Sequence, residues 1–222
     1  MIMLCSEENG MTDSLIFRIL FVCLFTTLWL ARAYYVRKTR DPNAPRTSAE
    51  RREAMKKEGW TGVALVVLTP IEIVFVLLYV VSPTWMMWAN LDLPEVFRWI
   101  GLIVTTASIP LAVWVHRTLG KHYSYALETK GEQSIIKVGP YSRVRHPLYS
   151  AHTLFNLGMV LLTANIPLII FAIIGVPIVC ARMKSEEAML IRQFGDEYTS
   201  YMRGTGRLFP KIKGSSSGQT DM

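Results

Sequence analysis

Long apolar runs separated by short polar, mostly basic stretches organise this chain. Ser14–Val36, Trp60–Val81 and Val96–Val115 each approach the ~20 residues that a helix needs to cross a bilayer. A fourth run, 148–181, is longer than one span requires and carries Asn165-Ile166-Pro167 near its middle, a turn-forming combination. It predicts a hairpin of two helices, each slightly short for a bilayer, and so five spans in total. Behind it, Ile191, Phe194, Tyr198 and Tyr201 recur at +3, +4 and +3. That spacing predicts an amphipathic helix over Ser185–Tyr201 lying on the membrane surface. The expected class is therefore all-α, a polytopic membrane bundle with a C-terminal helical hairpin and an interfacial helix.

The parts divide as an outer tail (1–13), three spans within 14–118 joined through a polar linker (37–59), a region 119–210 containing the hairpin, and a Ser/Gly-rich, disordered tail (211–222). The first run exceeds the ~7–15 residues of a signal-peptide core and follows acidic residues, so a membrane helix is expected there.

Charge adds an orientation. Lys and Arg total 24 against 17 acidic residues, but 1–13 and 82–97 contain none, whereas 37–58 carries eight, 117–145 six and 182–213 seven. The positive-inside rule then puts the N-terminus outside and the basic loops and C-terminus in the cytoplasm. The basicity reports topology and contact with anionic lipid heads, not a nucleic-acid partner. Trp85 and Trp88 suit an interfacial belt, and Glu72 inside the second span is an expensive carboxylate that demands a reason. Three cysteines far apart fit neither a disulfide framework nor a zinc site. His116 and His122 have no metal-ligand spacing and read as interfacial, so no metal is expected.

Chemistry concentrates in "GPYSRVRHPLYSAH" (139–152). If the hairpin forms, Arg145-His146-Pro147-Leu148-Tyr149 and Arg182-Met183-Lys184-Ser185-Glu186-Glu187 become two sides of one pocket. Arg182 and Glu186, at i and i+4, share a helix face, while Glu187 points roughly 100° away. Taken singly, Arg182–Glu186 reads as a surface ion pair and His146 as a residue preceding a Pro-initiated helix. Their convergence with Tyr149 at one depth favours a site. Ile135 and Ile136 offer an apolar shelf for a flat ring beside the Gly139-Pro140-Tyr141 turn. Such a pocket suits a small zwitterionic nucleotide, and neither G-x-G-x-x-G nor a P-loop is present.

Here the sequence resembles the isoprenylcysteine carboxyl methyltransferase family of integral membrane enzymes. Arg145-His146-Pro147-Leu148-Tyr149 and Glu186-Glu187 carry the resemblance, supported by "LGKHYS" (119–124), "GPY" (139–141), "FGDEYTSY" (194–201) and "RLFP" (207–210). The resemblance implies S-adenosylmethionine as cofactor, a lipidic or prenylated acceptor and methyl transfer at the cytoplasmic face. It implies cofactor contacts at Gln133, Ser134, Ile135, Ile136, Tyr141, His146, Pro147, Leu148, Tyr149 and Glu186. It makes Arg182 the contact to a substrate carboxylate. Gln133 stands where that family often has His, and Ala151 where Gly is frequent. A carboxylate acceptor is ionised at pH 7 and needs no base; an amine would, with Glu187 or His146 available. The same cofactor surface would serve a phospholipid N-methyltransferase. A sterol-reductase-type enzyme using Arg143, Arg145 and Lys137 for an NADPH phosphate, and a non-catalytic membrane module, are the other readings.

Overall fold

The computed structural model describes residues 2–38, 47–49, 59–81, 86–120 and 135–211. Most of the linker, His122, Trp85, Gln133, Ser134 and the tail beyond 211 lie outside the described residues, as do the expectations attached to them. Six α-helices are described: α1 (Ile2–Lys38), α2 (Trp60–Val81), α3 (Glu95–Leu119), α4 (Pro147–Thr163), α5 (Ile166–Phe194) and α6 (Asp196–Gly204). No strand occurs among them; two isolated bridges, Asn90 with Asn165 and Val144 with Gly206, tie loops together.

The hairpin is present. α4 stops at Ala164, a left-handed residue (φ 47°) whose N–H bonds the carbonyl of Val160. Asn165 is extended, and α5 restarts with Pro167 in its first turn, where a missing N–H costs nothing. The 86–94 loop seals this turn. Leu91 N–H reaches the carbonyl of Ala164 at 2.7 Å, and the Asn165 side-chain amide donates to Asn90 at 2.9 Å.

Among the described residues, four helices are long and apolar enough to cross a membrane: α1 from Leu15, α2, α3 and α5. α4, with 17 residues, measures about 26 Å at 1.5 Å per residue and is the short arm. The expectation that both arms are slightly short is corrected for the second, because α5 runs unbroken for 29 residues, about 43 Å. Arg182 to Glu187 therefore stand on a rigid continuation of a membrane helix. The single surface helix over Ser185–Tyr201 is corrected as well. Gly195, at φ 51°, ends α5, so Ile191 and Phe194 belong to α5 while Tyr198 and Tyr201 belong to α6. The outer tail is likewise helical, since α1 starts at Ile2 and nothing stronger than Gly10 interrupts it.

α3 and α4 lie antiparallel at close range. A Cβ on Gly101 would meet the Gly158 carbonyl at 2.6 Å, and one on Gly158 would meet Thr105 Oγ1 at 2.2 Å. Small residues at facing positions let membrane helices approach this closely. Around the contact, Phe17, Phe21, Leu28, Tyr79, Ala112, Phe155, Met159 and Leu162 form the core. Leu30, Ile103 and Ile173, each more than 60% exposed, look outward, as lipid-facing side chains must.

Contacts near the helix ends sort the chain into two faces. Arg98 reaches the Leu162 carbonyl at 3.1 Å and lies 4.0 Å over the Phe17 ring, at the face that holds the hairpin turn. At the other face Tyr35 stacks on His116 with centroids 5.9 Å apart and accepts from Arg117 at 2.7 Å. His116 is buried in that stack, in the last turn of α3. Every helix from α1 to α5 alternates direction between these faces.

Candidate active site

At the face opposite the hairpin turn, the residues before α4 meet the last third of α5. Pro147 is the first residue of α4, and His146 before it has extended φ, so the imidazole departs from the helix start instead of following its axis. The ring is buried. Nδ1 stands 3.6 Å from Glu186 Oε2 and Nε2 stands 3.2 Å from Glu187 Oε1. Residues forty apart in sequence thus share one cluster.

The two carboxylates differ in surroundings. Glu187 is 5% exposed and takes Arg145 Nε at 3.0 Å, Arg207 Nε at 3.2 Å, the Arg207 terminal nitrogen and His146. Its acceptor positions are filled by three side chains. Glu186 is 33% exposed and stands beside His146, with the Arg182 charge and a Tyr149 hydrogen bond also acting on it. One acidic residue is thus enclosed by cations, and its neighbour is partly exposed.

Arg145 also donates to the carbonyls of Met202, at 3.1 Å, and Thr205. The segment after α6 is threaded beneath this arginine as a strap. Arg145 N–H reaches the Gly206 carbonyl at 2.8 Å, His146 N–H the Arg207 carbonyl at 3.0 Å, and Ser150 Oγ the Leu208 carbonyl at 2.6 Å. Gly206 is required in this crossing, because a Cβ there would overlap the Phe209 carbonyl. The "RLFP" signal marked the strap in the sequence. The part played by Arg207 was missed, because nothing local shows which carboxylate it meets.

Tyr141 lies in a 3-10 turn over Gly139–Ser142, and its carbonyl accepts from Tyr201 Oη at 2.6 Å. Burial pushes the Tyr201 phenol up to about 12, against the opposing charge of Arg145, so this donor stays protonated throughout the physiological range. Burial, reinforced by Glu187 and Glu186, also raises Tyr198. Ile135 and Ile136 precede the turn and are half-buried, as are Leu148 and Tyr149. Tyr149 Oη accepts from Arg182 Nε at 3.4 Å, its ring lies 5.6 Å from that of His146, and the arginine is buried.

Of the cations considered for a dinucleotide phosphate, Arg145 is committed to Glu187 and Lys137 pairs with Glu197 at 2.8 Å. Glu72 is exposed halfway along α2, apart from this cluster. Among the described residues no group of His, Cys, Asp or Glu has the arrangement of a metal site.

Residues 96–197 match the family model described as phospholipid methyltransferase. The chain is 32% identical over 114 residues to protein-S-isoprenylcysteine O-methyltransferase of Saccharomyces cerevisiae, covering 50% of this chain and 47% of the relative. It is 34% identical over 90 residues to the nickel-cobalt-cadmium resistance protein NccN of Alcaligenes xylosoxydans xylosoxydans, covering 39% and 42%. The chain thus spans about half the length of the curated relatives it matches. Among solved structures, the eukaryotic intramembrane Ras methyltransferase ICMT superposes with a TM-score of 0.52 at 17% identity, over 88% of this chain and 69% of that one. Sequence and fold comparisons converge on the resemblance that the Arg-His-Pro-Leu-Tyr and Glu-Glu motifs carry.

Proposed function

We propose that this isoprenylcysteine methyltransferase-like chain transfers a methyl group from S-adenosylmethionine to a lipidic acceptor, at the cytoplasmic face of the membrane. The observation that carries the proposal is the pairing of His146 with Glu186 across the hairpin, which leaves a partly open carboxylate beside Tyr149 and Arg182.

The residues fit the cofactor. Glu186, a third exposed, offers carboxylate oxygen to its ammonium or ribose hydroxyls. The Tyr141 turn offers backbone groups, and Ile135, Ile136, Pro147 and Leu148 offer apolar surface for the adenine. When bound, S-adenosylmethionine supplies an electrophilic methyl on a sulfonium. The protein's task is to align the acceptor and keep water away, worth up to ~7–11 kcal/mol. Tyr149 sets the position of Arg182, whose planar guanidinium suits a carboxylate or phosphate on the acceptor. Glu187 serves this reading as an anchor and not as a base, because its oxygens are already saturated by cations. His146, held between the two glutamates, transmits the anchor's position to Glu186.

A carboxylate of the prenylcysteine type and a phospholipid amine are both acceptors that this arrangement admits. The reductase alternative loses support, since Arg145 and Lys137 are engaged elsewhere. The test supplies the protein in membranes with methyl-labelled S-adenosylmethionine and total cell lipid. Label in an extracted lipid is expected from the wild type and not from Glu186→Gln. Equal label with both proteins, or none with either, contradicts the proposal.

A further inference from the structure

At the face opposite the candidate active site, three helix ends bring two guanidiniums onto one phenol. Arg18 stands one turn into the apolar span of α1, which begins at Leu15. Tyr79 lies in the last turn of α2 and Arg98 in the first turn of α3. Tyr79 is buried, its hydroxyl accepts a hydrogen bond from Arg18, and the charges of both arginines act on it. The Arg18 guanidinium sits 5.7 Å from the centre of the Tyr79 ring. Arg98 lies 4.0 Å from the centre of the Phe17 ring and donates through Nε to the Leu162 carbonyl at 3.1 Å. Trp99 packs edge-on against the same Phe17 and, like Trp88, is exposed. Exposed tryptophans mark the headgroup level of a membrane protein.

The cluster is rich in donors. An arginine has five N–H groups and no acceptor, and Tyr79, having accepted from Arg18, keeps its own proton to give. Arg18 Nε is shut off from solvent and has no hydrogen-bond partner, so one donor is left over inside the cluster. A buried N–H without an acceptor is costly. Asp92 and Glu95, acidic residues near this end, are exposed, unlike the phenol. An arginine near the end of a membrane helix ordinarily extends its head to water. These two are folded onto aromatic rings instead, which gathers two positive charges around one hydroxyl. An anion placed there removes the repulsion and accepts the spare N–H.

We propose that Arg18, Tyr79 and Arg98 form a binding site for the phosphate of an anionic phospholipid, in the leaflet at the hairpin-turn face. The inference does not depend on the methyltransferase reading. A phosphodiester presents two unesterified oxygens, which a guanidinium meets in a planar, two-pronged contact, and basic pockets between membrane helices take lipid headgroups in this way. Two cations and a hydroxyl disfavour a headgroup that carries its own ammonium, so phosphatidylglycerol is preferred to phosphatidylcholine. The acyl chains lie along exposed apolar side chains of α1 and α2, among them Ile19, Val74 and Leu77. A lipid held there ties α1, α2 and α3 together at the end remote from the His146–Glu186 cluster.

The experiment adds phosphatidylglycerol, phosphatidylcholine or inorganic phosphate to the delipidated full chain in non-ionic detergent. Bound lipid is read by native mass spectrometry, and the thermal midpoint by tryptophan fluorescence. Wild type should retain phosphatidylglycerol in preference to phosphatidylcholine, and its midpoint should rise with phosphatidylglycerol concentration, as for any ligand of the folded state. Arg18→Gln and Tyr79→Phe should each weaken phosphatidylglycerol about tenfold, the scale of one hydrogen bond to a charged group. Tyr79→Phe keeps the ring and its packing, so its lipid-free midpoint should match wild type and separate lost binding from misfolding. Arg192→Gln, which removes an exposed cation of α5, should bind as wild type does. No retention by wild type, equal retention of the two lipids, or undiminished affinity in Arg18→Gln and Tyr79→Phe would overturn the inference. An equal loss in Arg192→Gln would overturn it as well, by showing a diffuse charge effect. Inorganic phosphate bound as tightly as phosphatidylglycerol would rule out the lipid as the occupant.

Discussion

Glu187 shows how much one buried carboxylate organises. It ties the start of α4, through Arg145 and His146, to α5 and to the strap, through Arg207. Removing one partner from a buried charge cluster typically costs about 3–5 kcal/mol, because the others keep their charge without compensation. Glu187→Gln should therefore lower the thermal midpoint of the detergent-solubilised protein and weaken cofactor binding together. Glu186→Gln should weaken binding with little loss of stability. Thermal denaturation followed by tryptophan fluorescence separates the two, and equal destabilisation would show that the glutamates share one role. At this scale the sequence was informative about types and silent about partners. The Glu-Glu pair and His146 stood out, and the 100° offset between Glu186 and Glu187 already implied different surroundings. That Arg207 completes the cluster depends on a chain reversal after α6 that no local pattern encodes.

The helices were legible where their physics is local. α2 and α3 follow from apolar length, and the break at Ala164–Asn165 follows from Asn-Ile-Pro chemistry. The end of α5 was misread because hydrophobic periodicity continues smoothly across Gly195, while the backbone turns there into a conformation that glycine tolerates. The contact of α3 with α4 was not foreseen either, since Gly101 and Gly158 acquire meaning only when placed opposite one another. Gly158→Leu drives a branched side chain into Thr105 and the Gly101 backbone. Overpacking of this kind costs about 1–3 kcal/mol. The variant should lose thermal stability and misplace His146, which immediately precedes α4, so that activity falls further than stability. A stable, fully active Gly158→Leu protein would show that the close approach is dispensable.

Across the whole molecule, helix directions and charge distribution agree. The loop 86–94 and the hairpin turn share one face, and the basic segments adjoining α3, α4 and α6 share the other. From the positive-inside rule we propose that the second face is the cytoplasmic one. A cysteine placed at Asp92 should react with a membrane-impermeant maleimide added to intact cells, and one placed at Glu197 only after permeabilisation. The reverse pattern would invert the assignment of the site to the cytoplasm while leaving its geometry intact. The most direct measurement of the central claim is equilibrium binding of labelled S-adenosylmethionine to purified wild type, His146→Ala, Glu186→Gln and, as a control at the far face, Asn90→Ala. Saturable binding to wild type and control, at least tenfold weaker in the two site variants, is the predicted result. Undiminished affinity in His146→Ala and Glu186→Gln would contradict the account, because the cofactor would then bind somewhere other than between α4 and α5.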